Sequence, residues 1–210
     1  MQTGAPKFRR RKEARPTEIV SAAMDVFAEK GFAGARLDEI AARAGVSKGA
    51  LYLYFETKED IFRAVVAQAV APNLDPVLAM LASHPGPIAP LIEALPERIA
   101  GIAESARIGG VVKMVIGEAR NFPELARVWH DQLVSKALAA LSTAIAAAQV
   151  RGELRAGDPR VLAVSLISPV LLGVLWRETF EPIGAEAFDI PALARQHART
   201  VLYGMLAEPT

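Results

Sequence analysis

The chain has 210 residues, 52% of them hydrophobic, a net charge of +1 and no cysteine. That much apolar content supports a sizeable core and excludes a disordered chain. The lack of cysteine excludes disulfides, thiolate catalysis and cysteine-based zinc sites, and it suits a reducing cytosol.

Taken in chain order, the first segment is basic. Lys7, Arg9, Arg10, Arg11, Lys12 and Arg15 are opposed only by Glu13. A flexible arm over 1–14 is expected, either as a solubilising tail or as a counter-charge for phosphates. No apolar stretch of the signal-peptide kind begins the sequence, so a cytoplasmic location is expected. Helix one is expected over 16–30, with Ile19, Ala22, Ala23, Val26 and Phe27 on one stripe, Pro16 in its first turn and Gly31 as its stop. Helix two is expected over 37–44, with Leu37, Ile40, Ala41 and Ala44 on one face. Asp38 and Glu39 sit in its first turn, where the helix dipole favours negative charge. Gly45 breaks it, and Ser47 caps a third helix over 48–55. Thr57-Lys58-Glu59-Asp60 has the form of a capping box that opens helix four. That helix turns Ile61, Phe62, Val65, Val66 and Ala69 inward, and Pro72 and Pro76 end or bend it. Beyond a break at 84–87, further helices are expected over 88–105, 109–120, 123–151, 159–180 and 191–206. No alternating strand pattern is found, so the expected fold is all-α.

The chemistry concentrates at 37–52. Two short helices joined by a tight glycine-containing turn describe either an ordinary helical corner or a helix-turn-helix. Ala41 is small where the helices cross, and Val46 and Leu51 fill the angle between them. In a helix-turn-helix the second helix enters the major groove while the first lies across the backbone. Tyr52, Tyr54 and Lys58 then place two phenols and an ammonium beside that helix, groups suited to phosphate oxygens.

Residues 31–62, from Gly31-Phe32 through Leu37-Asp38-Glu39-Ile40-Ala41, Ala44-Gly45-Val46-Ser47-Lys48-Gly49-Ala50-Leu51-Tyr52 and Tyr54-Phe55 to Lys58 and Phe62, resemble the signature of the tetracycline-repressor (TetR) family. The likeness covers about residues 15–66. It implies an all-α protein of about nine helices: an N-terminal three-helix DNA-binding domain (15–60 here) and a larger C-terminal helical domain (61–210) for ligand binding and dimerisation. It further implies that Lys48, Gly49 and Ala50 face bases or nearby backbone, and that Tyr52, Tyr54 and Lys58 contact phosphates. The family often has a hydroxyl residue just before helix two. This chain has Ala35-Arg36, so that cap is lost and Arg36 is expected to reach a phosphate. Ser47 completes the DNA-binding set. Gly49 and Ala50 offer no side-chain hydrogen bonds, which leaves Lys48 to read a base edge, a guanine O6 or N7.

In the C-terminal part, Met114, Trp129, His130, Trp176 and Phe180 are candidate ligand-pocket residues, set against the plain reading that they are core. The segment 161–176 is apolar on nearly every face. A homodimer through the last two helices is therefore expected, using Leu162, Leu166, Val170, Leu171, Leu175, Leu202 and Leu206, with Gly173 and Gly204 permitting close approach. Its length argues against a membrane span. His84, His130 and His197 lack metal-ligand spacing, and no phosphate loop, dinucleotide fingerprint or nucleophile elbow is present, so no metal, cofactor or enzymatic activity is expected. The expected function is a DNA-binding transcriptional regulator, a repressor released from a palindromic operator by a small hydrophobic effector. The rival readings are a small helical enzyme, an architectural DNA-binding protein, and a module that binds a protein partner through the helix pair.

Overall fold

In the computed structural model, which describes residues 7–84, 86–105 and 108–206, helix α1 spans Lys7–Gly34 and changes direction at Gly31 (φ 72°, ψ 175°). The arm expected to be flexible over 1–14 is thus helical from Lys7 onward. Lys, Arg, Glu and Ala are strong helix formers, and Pro16 removes only one backbone donor from the helix that runs through it. Residues 1–6 of that arm lie outside the described residues. Helices α2 (Leu37–Arg43) and α3 (Lys48–Tyr52) follow.

Helix α4 (Lys58–Val65) opens on the expected capping box. The Thr57 hydroxyl accepts from the Asp60 N–H and the Asp60 carboxylate from the Thr57 N–H. The Thr57 hydroxyl also donates to the Asp60 carboxylate at 2.7 Å, and that bond, with the one from the Thr57 N–H, holds the Asp60 carboxyl below its ordinary range. The helix does not stop at Pro72. It passes through a π turn at Val66–Val70 into α5 (Ala71–Ser83). In a regular α-helix the Pro72 ring would strike the Gln68 carbonyl. Instead the Ala71 N–H reaches back five residues to the Val66 carbonyl. The Asn73 amide then donates to the Ala69 carbonyl at 2.7 Å and the Val70 carbonyl at 3.3 Å. Pro72 is met by a widened turn rather than an end, and α5 runs on through Pro76.

The remaining helices are α6 (Ile88–Ser105), α7 (Ile108–Glu118), α8 (Pro123–Trp129), α9 (Ser135–Val150), α10 (Pro159–Thr179) and α11 (Ile190–Met205). Helices α8 and α9 form one rod through a second π turn, His130–Val134. There the Ser135 N–H bonds the His130 carbonyl, and the Ser135 hydroxyl takes over the Asp131 carbonyl. Pro169 inside α10 leaves the Ser165 carbonyl without its helical donor. His197 of α11 supplies one, Nε2 to oxygen 2.9 Å. That histidine ties the last two helices together.

One core cluster joins the N-terminal helices to the rest. Phe27, Phe32 and Phe62 are fully buried and meet ring to ring at 5.4–6.2 Å. Met114, Leu125 and Leu133, from α7, α8 and the second π turn, belong to the same cluster. A second cluster unites α5, α6, α9, α10 and α11. The expected boundary at 60/61 therefore falls inside a continuous core, since Ile61, Phe62 and Val65 pack with α1.

The expected dimer residues divide. Leu166, Val170 and Leu202 are buried within the protomer, and Leu162 and Leu206 pack against the same cores. Leu175 packs against the N-terminal core. Gly173 serves α10–α11 packing inside the chain, because a Cβ there would lie 3.1 Å from Ile190 Cγ1. Leu171 does face outward, and it is joined by Val161, Val164, Leu172 and, on α11, Tyr203. Of the nine expected positions, then, several are intramolecular. A helix that is apolar on every side hides from its sequence which side is turned inward.

By length and mean hydropathy, Lys58–Ala82, Pro123–Val150 and Pro159–Ile183 could each cross a membrane. This exceeds the single short run seen in the sequence; Lys58–Ala82 joins it because the helix continues past Pro72 and Pro76. All three contribute buried residues to the clusters just described.

Candidate nucleic-acid interface

Helix α3 is short because only Leu51 anchors it. Leu51 is fully buried, while Ser47, Lys48, Gly49 and Tyr52 are exposed and Ala50 is half-buried. The Ser47 hydroxyl caps the helix by accepting from the Ala50 N–H at 3.1 Å. Gly45 makes the turn at φ 67°, which any Cβ would strain. Helix α2 crosses beneath, held to α1 by a two-pronged ion pair from Arg43 to Glu29 at 2.6 and 2.8 Å. Arg36 stands at the start of α2 without a side-chain cap bond, and it is exposed. Arg36, Ser47, Lys48, Gly49 and Tyr52 are thus brought together on one outward surface.

Three side chains behave differently from the sequence reading. Lys48 is paired with Asp38 of α2 at 2.8 Å. The shared hydrogen bond holds Asp38 below its ordinary range and Lys48 above its own. Lys48 therefore reaches a base only by sharing or releasing that carboxylate. Tyr54 packs partly into the core instead of standing clear of it. Lys58 turns inward: its ammonium donates to the carbonyls of Phe32 (2.5 Å), Ala35 (3.0 Å) and Ala33 (3.4 Å), and lies 4.5 Å from the Phe32 ring centroid. A lysine has three N–H donors, and in this conformation all are directed at the α1–α2 turn. Sequence reasoning misses Leu53, which is 82% exposed at the end of α3, and takes Asp38 only as a helix-dipole charge.

The expected ligand residues fall into separate groups. Met114 is buried and Trp129 partly buried in the N-terminal core cluster. Trp176 and Phe180 lie together with Phe188, ring centroids 4.9 Å apart in both pairs, and the Trp176 indole N–H donates to the Glu186 carbonyl. His130 is exposed and bonded to Asp131 at 2.8 Å. A cavity of about 400 Å³ on α11, lined by Arg195, Arg199 and Tyr203 among others, involves none of the five.

Residues 19–65 match the model for bacterial regulatory proteins of the tetR family, and residues 92–190 match the tetracyclin repressor-like C-terminal domain. The chain belongs to the TetR family. It is accordingly a helix-turn-helix, DNA-binding transcriptional regulator. A relative spanning almost the whole length is the HTH-type transcriptional repressor BepR of Brucella suis biovar 1, 29% identical over 206 residues, 95% of this chain and 96% of that one. Among solved structures, a TetR-family regulator from Mesorhizobium loti superposes with a TM-score of 0.76 at 22% identity, covering 94% of this chain and 99% of that one. The SmeT–triclosan complex superposes with a TM-score of 0.74 at 22% identity, covering 93% of each chain. SmeT is the repressor of a Stenotrophomonas maltophilia multidrug efflux pump. At such identities the two structures establish the shared fold.

Proposed function

We propose that this chain is a cytoplasmic, homodimeric repressor that occupies a palindromic operator and leaves it when a small, largely apolar effector binds. The observation that carries the reading is α3 itself: one buried leucine holds it, and Ser47, Lys48, Gly49, Tyr52 and Leu53 are all turned to solvent. An isolated five-residue helix with that face has no packing purpose; presented to a major groove it has one. Lys48 and Asp38 together offer donors and acceptors to a base pair, the ammonium suiting guanine O6 or N7 and the carboxylate suiting cytosine N4. Tyr52, Arg36 and the Ser47 end of α3 are placed for phosphates. Tyr54 and Lys58 support this surface from within. The boundaries 1–14, 15–60 and 61–210 divide DNA contact from effector and dimer functions, with α4 belonging to both.

A two-fold dimer covers the outward stripe of Val161, Val164, Leu171 and Leu172 on α10, which a monomer leaves in water. The effector lodges near Met114 and Trp129, where α5, α7 and both π turns share one apolar cluster. π turns are weak points in helices and often mark functional sites. The triclosan complex of SmeT supports an apolar, aromatic class of ligand for this fold. The test is a thermal-shift screen of hydrophobic compounds followed by operator displacement. Compounds that raise the melting temperature should release the operator. If none that stabilises the protein changes operator affinity, effector control is refuted and a constitutive DNA-binding protein takes its place.

A further inference from the structure

The α1–α2 turn is gripped from two sides by opposite charges. From α7, the Glu118 carboxylate accepts the Phe32 N–H at 2.7 Å and the Ala33 N–H at 2.8 Å, one bond on each oxygen. From α4, Lys58 donates to the carbonyls of the same turn. Gly31 is held at φ 72°, and a Cβ there would stand 2.3 Å from Glu118 Oε1. The glycine thus answers both to the backbone conformation and to the carboxylate. At its other end α7 touches α1 again: a Cβ on Gly110 would lie 2.8 Å from the Ala28 Cβ. From residue 110 to residue 118 a helix rises about 12 Å. Helix α7 is therefore joined to the DNA-binding helices at two points, and two points fix the orientation of a rod where one would leave a swivel. Met114, in the proposed effector region, lies on α7 between them.

We infer that Glu118 is a positioning residue, a latch through which α7 sets the angle of the helix-turn-helix relative to the C-terminal helices. Its action rests on the dimeric, operator-binding reading above. With the latch closed, the two recognition helices of a dimer stand at one separation, and the protein accepts one half-site spacing. With it open, the N-terminal helices keep α4 and only the Gly110–Ala28 contact on α7, a single point that leaves a swivel, and accept several. An effector that shifts α7 along its axis pulls Glu118 from the two N–H groups and loosens the grip. Helix α7 is thus a second line of transmission beside α4.

The experiment uses the full-length protein and duplexes recovered from a random pool by selection. The best duplex is remade with one base pair inserted at, or deleted from, its centre. Each step moves the half-sites by about 3.4 Å and turns one relative to the other. Wild type is expected to lose at least tenfold in affinity for the altered spacings. Glu118→Ala should lose under about threefold while keeping its circular dichroism spectrum. Glu118→Gln sets an amide NH2 against one of the two N–H groups, so it also breaks the two-pronged contact and decides the matter if the alanine variant does not fold. Folded variants that discriminate spacing as sharply as wild type overturn the latch. A wild-type protein that binds no selected duplex overturns the regulatory reading, and is seen before any variant is made. A purely structural role for Glu118 would lower stability and leave the spacing ratio unmoved.

Discussion

Adding one methyl group at Gly31 tests the geometry of the interdomain contact. The backbone there, φ 72° and ψ 175°, lies in a region essentially reserved for glycine, so Gly31→Ala costs on the order of 1–3 kcal/mol wherever it is made. In the wild-type background the new Cβ also meets Glu118 Oε1 at 2.3 Å and displaces the carboxylate. Hydrogen bonds to a charged group contribute about 1.5–3 kcal/mol each when protected. The Ala33 N–H is exposed, so the pair is worth about 2–3 kcal/mol together. Gly31→Ala should therefore cost about 3–6 kcal/mol alone, Glu118→Ala about 2–3, and the double variant no more than Gly31→Ala itself. The expected coupling is about 2–3 kcal/mol, read from urea unfolding at one fixed protomer concentration. Additivity within about 0.5 kcal/mol would refute the reasoning, because it would mean that the methyl and the carboxylate never compete.

Leu172→Asp, on the outward face of α10, should give folded monomers by sedimentation. Leu202→Asp should instead unfold the protein, since Leu202 is 6% exposed inside the protomer and a buried unpaired carboxylate is strongly destabilising. Thr57→Ala should cost about 1 kcal/mol of stability at neutral pH by removing the cap of α4. The folded Asp60 carboxyl titrates below its ordinary 3.8, so its contribution is complete above that pH and is lost as pH falls through the lowered value. The gap between wild type and Thr57→Ala should therefore narrow in acid, leaving the part due to the Asp60 N–H to Thr57 hydroxyl bond. Lys48→Ala should relax preference at a single base position by about 1–3 kcal/mol; equal loss on every sequence would make Lys48 a phosphate contact.

The helix-turn-helix was legible because its signals are local. Gly45, the Ser47 cap, the Thr57–Asp60 box and the small Ala41 each act within a few residues, and chain order brings them together. Most helix positions were legible for the same reason: helices expected over 88–105, 123–151 and 159–180 correspond to Ile88–Ser105, the α8–α9 rod and Pro159–Thr179. The inside and outside of α10 were not. When Val161, Leu166, Val170 and Leu172 are all apolar, only the tertiary partner decides which are buried. Proline was over-read as punctuation: Pro72 is absorbed by a π turn, and Pro169 is compensated by His197 from another helix. Lys58 was assigned to phosphate by its place in a motif, whereas its carbonyl partners come from a turn more than twenty residues away. Glu118 carried no sequence signal, since a single acid at a helix end has many ordinary explanations and its partners are backbone N–H groups.

Sequence-specific duplex binding by the exposed face of α3 is the central claim. The direct measurement is fluorescence anisotropy of the purified protein with a duplex recovered by selection and with a scrambled duplex of equal composition, at physiological salt. The predicted result is affinity for the selected duplex at least about a thousandfold tighter, as specific sites generally show over non-specific DNA. The selected sequence should be two-fold symmetric, with half-site centres one helical turn or a multiple of it apart. Equal affinity for the two duplexes, with both curves collapsing alike as salt is raised, would leave only phosphate attraction and contradict the claim.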